Sequence, residues 1–164
     1  MTEGTIAVAI AKYYGLRSLV LVNNCIGVLT QREADLIHVT SSLYLEEIEI
    51  KISVADYKRE FENQTEGKEF KHRYMRESPR SLIRRFYIAM PTEVYNKVSD
   101  TIPSHVGIFV VRETPGGNIF AVKTRTAKDF KNARKLEAKE LMSIATMASS
   151  RLWSLKAGKA CGRK

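Results

Sequence analysis

Acids and a base alternate along one short stretch, YLEEIEIKIS, residues 44–53. In extended backbone, successive side chains point to opposite faces. Leu45, Glu47, Glu49 and Lys51 therefore share one side, and Tyr44, Glu46, Ile48, Ile50 and Ile52 share the other. Asp35 opens the preceding strand-like run, residues 34–40. If the two runs pair as a hairpin, Asp35 at the start of one lies across from the end of the other, where Glu49 and Lys51 sit. Two carboxylates and an ammonium at one spot suit metal-assisted hydrolysis. Carboxylates with water are the ligands of a hard, octahedral Mg²⁺, and a lysine orients a water or offsets charge developing on a phosphate.

Spacing alone does not select this triplet, because Glu-x-Lys occurs four times: at Glu49–Lys51, Glu66–Lys68, Glu69–Lys71 and Glu137–Lys139. Only the first has apolar neighbours in a strand pattern and an aspartate on the strand before it. The competing reading is an edge strand whose solvated face carries charge against edge-to-edge pairing. Glu47, on the Glu49 face, reads as a solvated acid. His38 reads as structural, and His72, among cations, as a phosphate contact.

The elements that must position these residues follow in order. Ile6, Ala9, Ile10 and Tyr13 recur at helical spacing, with Thr2 as N-cap and Gly15 just past the end, so residues 2–14 form an amphipathic helix. Residues 18–22 read as a buried strand, 23–33 as turns, and 34–40 and 44–53 as the two strands above. Ser53 and Asp56 match a helix-start pattern launching a short helix. Residues 62–80 are polar, lack a period and contain Gly67 and Pro79, which predicts a mobile basic loop. A strand at 85–91 stops at Pro91, a short helix follows at 92–100, and strands at 106–111 and 118–124 flank a Thr-Pro-Gly-Gly turn. Residues 128–155 predict one long helix with Phe130, Ala133, Leu141, Ile144, Ala148, Leu152 and Leu155 inward and Lys128, Lys131, Lys135 and Lys139 on another side. Residues 156–164 remain as a basic tail. The fold class is α/β, a mixed sheet flanked by helices with a long C-terminal helix, in a single domain over residues 1–155.

Composition narrows the partners. The 164 residues carry a formal charge of +9, unevenly spread. Residues 1–70 hold 7 Lys/Arg against 11 Asp/Glu, residues 71–85 hold 6 against 1, and residues 128–164 hold 10 against 3. Basic blocks beside an acidic half suit a polyanion held by cations while its reacting phosphate meets carboxylates through metal. A solvated surface is the alternative. Lys71, Arg73, Arg76, Arg84 and Arg85, with His72 and Tyr74 among them and Lys58 on the short helix, are the expected DNA contacts. Cys25 and Cys161 stand apart without a Cys-x-x-Cys motif and read as free thiols. No apolar run approaches the ~20 residues of a membrane span, and the N-terminus lacks a signal-peptide pattern, so a cytoplasmic protein is expected.

The run READLIHVTSSLYLEEIEIKISVADYKREF, followed by RRFYIAMP and VGIFVV, resembles the PD-(D/E)xK nuclease superfamily, and more closely the MmcB-like DNA repair group. The resemblance covers roughly residues 3–123 and implies a restriction-endonuclease-like fold. It makes Asp35 and Glu49 the metal-holding acids and Lys51 the catalytic lysine. Mg²⁺ is the implied cofactor, with Mn²⁺ as substitute, and DNA the implied partner, with a homodimer left open. Many superfamily members add a glutamate from the first helix. Glu3 is the acid available there, although stabilising the helix dipole is also sufficient reason for it. The proline of the superfamily's name is replaced by Ala34. The expected activity is metal-dependent DNA cleavage in repair or processing. Its rivals are a non-cleaving DNA-binding module of the same fold and an adaptor that uses the C-terminal helix.

Overall fold

The computed structural model describes residues 1–15, 19–22, 34–61 and 66–160; for 19–22, 66–71, 151 and 158–160 it describes the backbone alone. Helix α1, Glu3–Tyr14, begins where the Thr2 hydroxyl accepts the Thr5 N–H at 3.3 Å and ends at Gly15, φ 70. Positive φ at a helix end is cheap only for glycine. Strands β1 (Leu19–Val22), β2 (Leu36–Val39), β3 (Leu45–Ile50), β4 (Ile83–Pro91), β5 (Gly107–Glu113) and β6 (Ile119–Arg125) form one six-stranded sheet in that order. β3, β4 and β5 run parallel, while β2 and β6 are antiparallel to their neighbours. Parallel neighbours need crossovers. These are α2 (Val54–Phe61) with α3 (Glu66–Glu77) between β3 and β4, and α4 (Thr92–Val98) between β4 and β5. α5, Ala138–Ala160, closes the chain. The result is an α/β fold.

Two apolar layers hold the sheet. Ile6, Ala7, Ala9 and Ile10 of α1 bury against Leu36, Ile48, Ile50, Tyr87, Ala89, Phe109 and Val111 on one face. On the other, Ile37, Leu45, Phe86, Ile88, Met90, Ile108 and Val110 pack with Tyr57, Met75, Val94, Phe130 and Ile144. β3 is the third strand of six and covered on both sides, so all six of its residues are buried. The edge-strand reading fails for that reason, and Glu47, at 2% exposure, is not a solvated acid.

Three expectations are corrected. Residues 66–77 of the expected loop form helix α3, seated by buried His72 and Met75 three residues apart. The expected helix over 128–155 begins only at Ala138, and residues 128–137 form an irregular strap with a turn at 131–132, closed by Ala133 N to Phe130 O at 3.2 Å. Strap amides bond other elements instead of their own fourth predecessor: Lys128 N to His105 O, Phe130 N to Arg84 O, Arg134 N to Ser81 O and Leu136 N to Leu43 O, at 2.8–3.0 Å. Glu140 then starts α5 by accepting the Glu137 N–H at 2.8 Å, a side-chain cap. Finally, α5 runs to Ala160 through much of the expected tail, while Leu152 and Leu155, expected inward, are exposed. The turns at 23–33, Cys25 and Cys161 lie outside the described residues.

Candidate active site

The carboxyl end of β3 gathers the acids and the lysine. β2 pairs antiparallel with β3, Leu36 opposite Ile48, which carries Asp35 alongside the Glu49–Ile50 end. The Asp35 Oδ2 accepts the Ile50 N–H at 2.7 Å, fixing that carboxylate against the strand. Asp35, Glu49 and Lys51 line one cleft of about 340 Å³ with Glu3, Ile52, Ser53, Asp56 and Arg59. The hairpin therefore does what strand alternation required of it.

Electrostatics in the cleft are unbalanced toward acid. Burial, then the Glu49 charge, pushes the Asp35 carboxyl up to about 6 against the help of the Ile50 amide and Lys51, and Glu3 adds to the rise. Lys51 is 5% exposed, and its Nζ donates to Glu49 Oε2 at 3.3 Å and to Glu60 Oε2 at 3.1 Å. Burial opposes the ammonium, but Glu49 and Glu60 outweigh it, so the Lys51 pKa stands above its ordinary value. Lys51 is a fixed cation, suited to donate and not to accept a proton.

Glu60 was missed by sequence reasoning, and His72 was read there as a phosphate contact. Glu60 projects from α2, 2% exposed, and its Oε1 lies 3.1 Å from Nε2 of His72 on α3. His72 stacks on Phe61 at 5.5 Å and meets the Phe86 edge at 5.1 Å. It is a buried partner of an acid, not a phosphate contact. The available signal was Glu60 three residues after Tyr57, an acid on the apolar face of its helix. The Asp56 cap is present: its N–H donates to Ser53 Oγ at 3.1 Å and its Oδ2 accepts from Ile52 N at 3.2 Å.

The expected DNA contacts scatter. Arg84 and Arg85 lie at the amino end of β4, where Arg85 pairs across from Glu46, at the opposite end of the sheet from the cleft. They are held in ion pairs, Arg84 with Asp129 at 2.7 Å, Arg85 with Asp129 at 2.7 Å and with Glu46 at 3.1 Å. Glu46 also accepts from Tyr14 at 3.0 Å and bonds His38 Nδ1 at 2.7 Å, which makes His38 structural as expected. Arg73 and Arg76 are exposed on α3 and Lys58 is exposed on α2; the Lys71 side chain is outside the described residues.

No protein-family model matches the sequence, and no curated protein does. The fold has a solved counterpart in the SPO1766 protein of unknown function from Silicibacter pomeroyi. The two superpose with a TM-score of 0.65 at 16% identity, over 99% of this chain and 97% of that one. At that identity the likeness establishes the architecture alone. Among the described residues, no helix is long and apolar enough to cross a membrane.

Proposed function

We propose that the chain is a Mg²⁺-dependent deoxyribonuclease of the PD-(D/E)xK kind, hydrolysing phosphodiester bonds in DNA repair or processing. One observation carries the reading: Asp35, Glu49 and Lys51, from two strands, line a single cleft at the carboxyl end of β3.

The donor set fits the metal. Among the described residues no three His, Cys, Asp or Glu side chains gather into a cage, which disfavours a fully protein-ligated ion. Mg²⁺ keeps several of its waters and takes one or two carboxylates. Asp35 and Glu49 would supply those two; burial first, and then the Glu49 charge, raise the Asp35 pKa, and a divalent cation would relieve the repulsion between the two carboxylates. The Ile50 amide bond to Asp35 Oδ2 fixes this carboxylate and leaves it acceptor capacity for a ligand. When bound, the ion would polarise the phosphate and lower the pKa of a water. Lys51, kept protonated by Glu49 and Glu60, donates a hydrogen bond to the attacking water or to a phosphate oxygen as charge develops there. Glu3 lines the cleft and reinforces its negative potential without completing a three-acid group.

Cleavage of several DNA forms with and without Mg²⁺ tests the reading. Asp35→Asn, Glu49→Gln and Lys51→Ala should each lower metal-dependent cleavage by about 100-fold or more. Undiminished cleavage by Glu49→Gln would overturn it. One observation favours the adaptor alternative: Met142, Leu152, Trp153 and Leu155 of α5 are exposed, between 51% and 67%. A protein partner covering them would leave DNA untouched.

A further inference from the structure

Without a metal ion the cleft offers a polyanion little attraction of its own. Its described lining carries four carboxylates, Glu3, Asp35, Glu49 and Asp56, against Lys51 and Arg59, and Lys51 is buried between two acids. Arg59 leans on Asp56 at 3.4 Å. Affinity for a phosphate backbone must come from elsewhere on the molecule.

The strap at the amino end of the parallel strands has the opposite character. Phe130, Ala133 and Leu136 point into the core, which turns Lys128, Lys131 and Lys135 outward and exposed. Beside them stand Arg76 of α3 and Arg80 of the following turn, a segment latched to the strap by Asn132 Nδ2, which donates to Met75 O at 3.2 Å and Ser78 O at 2.5 Å. Among the described residues none of these five cations is ion-paired, whereas Arg84, Arg85, Arg134 and Lys139 nearby are. Two of the five, Arg76 and Lys128, also bear on half-buried His105, which burial first, then Arg76, His72, Lys128 and Arg125, hold below its ordinary pKa. Three like charges on a strap pinned by backbone bonds at four points, with Arg76 and Arg80 beside them, are self-repelling without a counter-charge and preorganised for one.

We propose that the strap, with Arg76 and Arg80, is the docking surface for the phosphate backbone of duplex DNA. A single strand is the poorer match, because such sites need exposed rings for base stacking. Tyr44, a ring near the strap, is already flanked by Arg84 at 4.6 Å and Lys135 at 5.8 Å. The proposal deepens the nuclease reading and rests on it for the identity of the polyanion. Strap and cleft lie at opposite ends of β3, roughly 15–20 Å apart along the strand. A duplex therefore needs about five or six base pairs to reach from one to the other.

Fluorescence anisotropy of a labelled duplex of about 16 base pairs, in EDTA and across a salt series, measures the surface without cleavage. Parent protein should bind with a steep slope of log affinity against log salt. Lys128→Ala/Lys131→Ala/Lys135→Ala should flatten that slope by about two to three units and weaken binding roughly 10–100-fold at ~0.1 M salt. Circular dichroism should be unchanged, since the strap docks through its backbone. No duplex binding by the parent, tighter binding of a single strand, or an unaltered slope in the triple variant would overturn the proposal. A parent that binds through the strap yet never cuts with Mg²⁺ would remove the nuclease reading and leave the surface standing.

Discussion

At the scale of single residues, the molecule places charge where burial makes it expensive. Glu47, Glu49, Lys51, Glu60 and His72 are each no more than 7% exposed. Uncompensated buried charge costs several kcal/mol per ion, and the chain Glu49–Lys51–Glu60–His72 joins four of these five residues through three contacts. Asp35 is compensated only in part, by the Ile50 amide and Lys51, which gives a measurable consequence. Its folded-state pKa of about 6 exceeds the ordinary 3.8, so between those values the folded state holds a proton that the unfolded chain has released. Its contribution is intact below the lower pKa and lost as pH rises through the upper one. Asp35→Asn keeps an acceptor for the Ile50 amide and removes that penalty. In EDTA it should be more stable than the parent by on the order of 1–2 kcal/mol at about pH 7.5 and converge on it near pH 4. Added Mg²⁺ should raise the melting temperature of the parent and not of the variant. Melting curves at the two pH values decide it, and a variant less stable than the parent at both would contradict the account. Asp35, Glu49 and Lys51 were legible because two-residue alternation and one hairpin suffice to bring them together. Glu60 and His72 were not, because their contacts join helices to a strand and no local period announces them.

At the scale of elements, the sequence revealed strands better than it revealed the segments between them. The strands carry dense Val, Ile, Leu and Phe bounded by turn residues, a pattern that survives any topology. α3 was hidden because its described buried face is a histidine and a methionine, too sparse for a periodic signal. The strap was hidden for the converse reason: Phe130, Ala133, Leu136, Ile144 and Leu141 mimic helical spacing, yet the first three are pulled into irregular backbone by bonds to other elements. Sequence pattern fixes which residues go inside, while tertiary hydrogen bonding decides in what conformation they arrive. The β4–β5 contact shows how tight that interior is. A Cβ built on Gly107 overlaps Cδ1 and Cε1 of the Tyr87 ring and comes within 2.8 Å of the Ala127 amide nitrogen. Tyr87 is itself fully buried and cannot swing aside. Gly107→Ala should therefore cost about 3 kcal/mol or more, the range expected of overpacking without relief. Chemical denaturation would show it as a lower midpoint at unchanged slope, and a midpoint equal to the parent's would mean that β5 shifts freely.

At the scale of the whole molecule, function and stability divide along the chain. The acid cleft, the strap and both apolar layers are built from residues up to Met147; among the described side chains of α5, Ile144 is the last buried and Met147 the last packed on the core. Beyond it Leu152, Trp153 and Leu155 meet no core, and Trp153 has Lys156 over its ring at 5.2 Å. Apolar area that is never buried contributes nothing to folding, so this half of the helix is held by its own backbone bonds and by continuity with the packed half. A chain ending at Ser149 should consequently keep the parent's melting temperature to within about 2 °C and its affinity for duplex DNA to within about threefold, because it loses Arg151, Lys156, Lys159, Arg163 and Lys164 but none of the strap cations. Sedimentation of both forms separates the remaining readings. If the parent dimerises and the shortened chain does not, exposed α5 is where a second copy sits. If both are monomers and DNA binding collapses on truncation, the anchoring surface is the distal helix, and the strap has been misassigned.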